Sequence, residues 1–305
     1  MPPQSWDDAP SETMDQGCLR RTRWDLGSHA GSVEVGLKRV QGLPGGQTSP
    51  VHAHGAEEEI FFVLSGSARL WQDGEVCEVR AGDCIVHGAE GPAHTLVAGP
   101  DGVDVLAFGE RKVAEAVVLP RAGVAWVGDT WFERPGAGEH PFDREAALDP
   151  VDVTGVGERP ANVVALADVD EQVTRRGRTD VRRRDLGRAA GSVTSGMKWI
   201  RVEPGARSYP HHWHSGEEEL FVILGGDGVL RLGEEEHPVA RGSLVARPAG
   251  TGVAHSFTAG AEGLEMLAYG QRRGNEMCFY PDSQKLSAAG IVFRVEQLDY
   301  WDGEE

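Results

Sequence analysis

His52-Ala53-His54, then Glu59, Gly66 and His94, is the stretch that decides the fold, because the chain writes it twice. It returns as His212-Trp213-His214, Glu219, Gly226 and His255. The first four positions recur at an offset of 160 residues and the last histidine at 161. The register extends outward from the motif. Asp25-Leu26-Gly27 matches Asp185-Leu186-Gly187, Ala30-Gly31-Ser32 matches Ala190-Gly191-Ser192, and Pro44-Gly45 matches Pro204-Gly205. After one inserted residue, Ala107-Phe108-Gly109 aligns with Ala268-Tyr269-Gly270. A period far above the roughly 20–50 residues of a solenoid means two copies of one domain.

Each copy reads as strands. Ile60-Phe61-Phe62-Val63-Leu64 and Leu220-Phe221-Val222-Ile223-Leu224 are short apolar runs of good β-formers, each closed by glycine. The 41 glycines and 17 prolines mark many turns. The fold class expected is all-β, a sandwich or jelly roll in each half. The boundaries expected are a disordered leader over residues 1–14, one domain over 15–132, a polar linker over 133–160 and a second domain over 161–305. Within the linker, residues 141–147 suit one or two helical turns, with proline and acidic residues at the start.

Alternation along a strand puts both imidazoles of His-x-His on one face. The glutamate five residues on opens the next antiparallel strand and points back at them. Its neighbours Phe61 and Val63, or Phe221 and Ile223, then shape a dry pocket. The last histidine arrives from a distant strand through barrel closure. Three neutral imidazoles and one carboxylate suit a divalent transition metal and leave positions open for water or substrate. Glu58 and Glu218, which face away from these ligands, are expected at the exposed surface. His87 and Arg247 share a position before the last histidine and offer an anion contact or a loop residue. Lys38 and Lys198 recur, as pocket cations or as repeated surface lysines.

The formal charge of −18 argues against nucleic acid or an anionic membrane surface as partner. It leaves a small anionic substrate open. Cys18, Cys77, Cys84 and Cys278 lack metal or redox spacing and read as incidental buried thiols of a reducing cytosol. With no targeting segment or apolar span recognised, a cytoplasmic protein is expected.

The residues Gly45, His52, His54, Glu59 and Gly66, followed by Gly82 and Gly91-Pro92-Ala93-His94, resemble the two sequence motifs of the cupin superfamily. Gly242 and the run from Arg247-Pro248 to Ala254-His255 repeat the second motif. The resemblance implies a bicupin, two tandem jelly-roll β-barrels (double-stranded β-helices) related by internal duplication. It carries the ligand role onto His52, His54, Glu59 and His94, and onto His212, His214, Glu219 and His255. It implies one divalent metal per barrel (Fe, Mn, Ni or Zn), a small organic substrate, and a monomeric pseudo-dimer or a homodimer. The activity implied is dioxygenase-like or decarboxylase-like, with Glu59 and Glu219 in catalytic roles. The alternatives are a non-redox metal-dependent isomerase or hydrolase, and a non-catalytic bicupin that binds a small ligand. Gly88 stands where the second copy has Pro248, so the C-terminal set is expected to be the more regular and the first choice for chemistry.

Overall fold

The computed structural model describes residues 1–128, 130–133 and 140–304. The chain is built almost wholly of antiparallel strands, and each half forms a jelly-roll barrel. The first half orders its large sheet as Val163–Ala165, Asp83–His87, Glu59–Gln72, His94–Glu110, Val35–Gly42, Leu19–Asp25 and Ser11–Gln16, with Glu75–Arg80 paired to Glu59–Gln72. The second half repeats this with Gln4–Ser5, Ser243–Arg247, Glu219–Leu232, His255–Gln271, Ser195–Val202, Thr179–Arg184 and Glu171–Arg176. A four-stranded sheet borders each barrel.

The long strands bend at glycine. Between Gly66 and Ala68 the pairing with His94–Glu110 shifts register. Gly66 takes a φ of +76°, and a Cβ there would lie 2.3 Å from the Gly102 carbonyl oxygen. Gly226 repeats both features, with a φ of +73° and 2.0 Å to the Gly263 oxygen. The motif glycine is therefore required by the bulge that curls the sheet.

Alternation sorts the apolar runs into two cores. Phe61 and Val63 point into the first barrel with Leu70, Ile85 and Val105. Ile60 and Phe62 point the other way, into one cluster shared with Leu220, Val222, Leu244 and Tyr269 of the second half. Phe108 stacks on Tyr269 there at 5.2 Å between centroids. Each sheet is thus apolar on both faces, and the outer face is hidden only by the other barrel. At about 1.5–3 kcal/mol for each large side chain fully buried, this shared core favours two barrels packed as one body.

Two expectations are corrected at this interface. The leader is ordered. Gln4 and Ser5 pair with Leu244 and Ser243 of the second barrel, and Trp6 donates its backbone N–H to the Gly242 oxygen at 2.9 Å. Trp6 is buried in the shared core. The strand Val163–Ala165, at the opening of the second repeat, pairs instead with Asp83–Ile85 of the first barrel. The halves exchange their first strands, so the boundary at 161 and the leader at 1–14 do not separate the domains as expected. The linker opening at 134–139 lies outside the described residues; Pro141–Ala146 does form the helical turn.

Glu58 and Glu218 are not exposed, being 3 % and 0 % accessible. Glu218 accepts hydrogen bonds from Ser32 Oγ at 2.8 Å, Val33 N at 2.9 Å and Glu34 N. Glu58 accepts from Ser192 Oγ at 2.5 Å, Val193 N at 2.7 Å and Ser195 N at 3.1 Å. Each barrel thereby plugs a carboxylate into the same loop of the other. Arg111 and Arg272 brace those loops through the Ser32 and Ser192 carbonyls, both at 2.7 Å. The C-terminal tail behaves differently: Tyr300 and Trp301 are exposed and do not dock on their own barrel.

Replacing Glu218 with alanine leaves several buried donors unpaired and should destabilise the chain by roughly 3 kcal/mol. Urea unfolding followed by tryptophan fluorescence measures this, and an unchanged midpoint would contradict the clasp.

Candidate metal centres

The backbone brings the ligands together before any side chain acts. His52 and His94 exchange hydrogen bonds, N to O at 3.2 Å and 2.8 Å, and this bridge closes the barrel. His212 and His255 repeat it at 3.2 Å and 2.8 Å. Ala53–His54 pairs with the bordering strand, and Glu59 opens the long strand beside it.

In the first half, one donor atom from each of His52, His54, Glu59 and His94 falls within 4.8 Å of the others. Glu59 Oε2 lies 3.7, 3.5 and 3.2 Å from the Nε2 atoms of His52, His54 and His94. The outer ring nitrogens hold this aim. Nδ1 of His52 donates to the Pro50 carbonyl at 2.9 Å and that of His94 to Pro92 at 3.1 Å, while that of His54 meets Glu115 Oε1 at 3.2 Å. Every Nε2 is left facing the carboxylate.

Charge follows this geometry. Burial lowers the His94 pKa to about 4, keeping that imidazole neutral. Burial opposes a charge on His54 too, but contacts with Glu115 and Glu59 outweigh it and raise its pKa to about 10. Burial likewise disfavours ionised Glu59, yet the hydrogen bonds from its three histidines hold it well below the usual carboxylate range. The cluster favours a positive charge at its centre, where a metal ion would supply one. The donors fit a divalent transition metal.

The second half is less regular, which reverses the expectation. Glu219 Oε2 lies 3.2 Å from Nε2 of both His214 and His255. Donors group here as triads rather than one quartet: His212–Glu219–His255, His212–His214–Cys278 and His214–Glu217–Glu276. The cause lies at Arg247, whose guanidinium takes the Val253 carbonyl at 2.9 Å. That carbonyl is the counterpart of Pro92, and among the described residues His255 Nδ1 is left without a partner. In the first half the same position is His87, which is buried and stacks on His94 at 3.4 Å between centroids. Burial lowers the His87 pKa well below the imidazole range, and His87 does not line the first cavity, where an anion would have to reach it.

Two functional residues escaped the sequence reading. Glu115 also accepts from the backbone of Gly55, Ala56 and Glu57 at 3.1, 2.9 and 2.8 Å. Glu276 holds His214 Nδ1 at 2.9 Å and Gly216 N at 2.8 Å. The two glutamates lie 161 residues apart, the offset of the last histidines, and that recurrence was the available signal.

Each centre opens into a cavity. The first, of about 420 Å³, is lined by Lys38, Arg21, Arg23, Phe61, Trp126 and Phe142 with His52, His54 and Glu59. The second, of about 400 Å³, has Lys198, Arg183, Tyr209, Phe221, Tyr280 and Lys285. Val63 and Ile223 sit deeper, in the barrel cores. Lys38 keeps accessible surface, but that surface faces the cavity, and enclosure lowers its pKa. Among the described residues neither Lys38 nor Lys198 has a hydrogen-bonding or salt-bridge partner.

Comparison with known proteins agrees with this geometry. The family described as Cupin domain matches residues 39–99 and 198–269, one segment in each half. No curated protein matches the chain. Oxalate decarboxylase from Lactobacillus farciminis, in its formate complex, superposes with a TM-score of 0.62 at 15 % identity, over 89 % of this chain and 86 % of that one. A deletion mutant of Bacillus subtilis oxalate decarboxylase superposes with a TM-score of 0.59 at 18 % identity, over 88 % and 76 %. A sugar phosphate isomerase of the cupin superfamily from Silicibacter pomeroyi is 26 % identical over 43 % of this chain and 91 % of its own, with a TM-score of 0.40.

Glu115→Ala should weaken metal binding at the first centre by about tenfold to a hundredfold and leave the second unchanged. Chelator competition on the full chain measures both, and equal affinity in mutant and parent would refute the positioning role.

Proposed function

We propose that this chain, which matches the Cupin domain model in each half, is a bicupin and a metal-dependent enzyme acting on a small organic acid by decarboxylase-type chemistry. The observation that carries the reading is the pairing, in both halves, of a His/Glu donor cluster with a lysine that has no hydrogen-bond or ion-pair partner among the described residues, in one half-open cavity. A protein of net charge −18 repels anions in general, so two inward-facing lysines are a local reversal. An anionic carboxylate is the substrate that such a pocket would hold.

Bound metal would supply Lewis acidity and, as Mn or Fe, one-electron redox capacity. The chain's residues account for the rest. Lys38 or Lys198 pairs with the carboxylate, and the arginines nearby reinforce the field. Phe61 and Phe221 exclude water beside the ligands, which strengthens every charge interaction there. Glu59 and Glu219, held ionised among the histidines, would stay as ligands or accept a substrate proton. Loss of CO₂ leaves an electron pair on carbon that takes up one proton from solvent, with no net oxidation. The superposed oxalate decarboxylases support this choice over a dioxygenase-like reaction through shared architecture alone. No helix among the described residues is long and apolar enough to cross a membrane.

The test is a panel of small mono- and dicarboxylates offered to protein loaded with Mn, Fe, Ni or Zn in turn, following CO₂ release and O₂ uptake. Release of CO₂ without stoichiometric O₂ consumption is expected. Turnover confined to neutral substrates, or O₂ consumed one for one, would overturn the reading. Lys38→Met and Lys198→Met, made separately, should raise KM by about tenfold or more in whichever half turns over, the loss of one charged hydrogen bond.

A further inference from the structure

Beyond His87 and Arg247, the two centres differ at a position on the strand that borders each of them. The strand bordering each barrel pairs with the His-x-His segment in matching register, Val117 opposite His54 and Cys278 opposite His214. The first half therefore presents an isopropyl group to its donor cluster, and the second a thiol. Cys278 is buried and lines the second cavity with His212, His214 and Glu219. Its Sγ and one nitrogen each of His212 and His214 lie within 4.8 Å of one another. That is about twice a metal–ligand bond, the largest separation two ligands of one ion can have.

We propose that Cys278 is a metal ligand, so that the second centre is a thiolate-bearing site chemically distinct from the first. The inference rests on the metal-centre reading above. Two observations converge on it. Sγ lies among two imidazoles that already aim at the cavity, with the Tyr280 hydroxyl as its other polar neighbour. The second cluster is also the one that does not close as a single His/Glu quartet, splitting into triads, two of which share His212. A sulfur donor completes the loose side.

The consequence is selectivity. The first centre, with three nitrogens and one oxygen, takes the harder ions Mn and Fe. The second, with sulfur added, prefers Zn, Co or Ni, because soft thiolate favours softer ions. One chain would then carry two different metals.

Cobalt(II) titrated into the full chain tests this, with absorption spectroscopy and metal analysis read together. Two cobalt ions per chain and a near-ultraviolet sulfur-to-cobalt charge-transfer band are expected. Cys278→Val, which installs the residue of the first half, should abolish the band while the chain still binds two ions. Cys278→Ser gives the same reading should the valine variant fold poorly. Val117→Cys in the Cys278→Val background should restore the band from the other half. Two bound ions with no band in the parent protein, or a band that survives Cys278→Val and Cys278→Ser, would overturn the thiolate and leave the proposed function standing. No bound cobalt at all would overturn the metal-centre reading, and the thiolate with it.

Discussion

The reciprocal backbone hydrogen bonds between His52 and His94, and between His212 and His255, are the constraint on which each centre depends. They join residues far apart in sequence, close the barrel, and in the same contact set two imidazoles side by side. Closure and site assembly are one event. The glycine bulge at Gly66 or Gly226 is needed because without it the long strand cannot curl far enough for that bridge to form. The histidine orientations then follow from local carbonyls, with Pro50, Pro92 and Pro210 each accepting an Nδ1 proton.

A second constraint acts between barrels. A sheet whose two faces are both apolar cannot stand alone in water, and here each outer face is covered by its duplicate. The strand exchange and the Glu58 and Glu218 clasps make that pairing specific, since a hydrophobic face alone leaves register open. Duplication inside one chain fixes a geometry that separate copies would have to find by association.

The duplication, the inward face of Phe61 and Val63, and the donor residues could be read from spacing alone. The strand exchange could not. Gln4-Ser5 carries no strand signature of its own, and its order comes from the unpaired edge of another sheet. Glu58 and Glu218 show a subtler limit. Alternation correctly turned them away from the ligands, but the far side of the strand is the other barrel and not solvent. Arg247 against His87 is the same kind of case. The proline and glycines before His255 made that loop look more regular, whereas a single guanidinium claims the carbonyl that would have oriented the histidine. Glu115 and Glu276 stand just before the bordering strands and Cys278 on one of them, all outside the motif, so only the repeat offset or the structure could connect them to it.

The account stands on two metal centres in one chain. Anomalous-scattering maps from crystals grown with Mn and Zn test this most directly. The account predicts one peak bonded to His52, His54, Glu59 and His94 and another among His212, His214, Glu219 and His255. Maps empty at both clusters, or peaks only elsewhere on the surface, would contradict it.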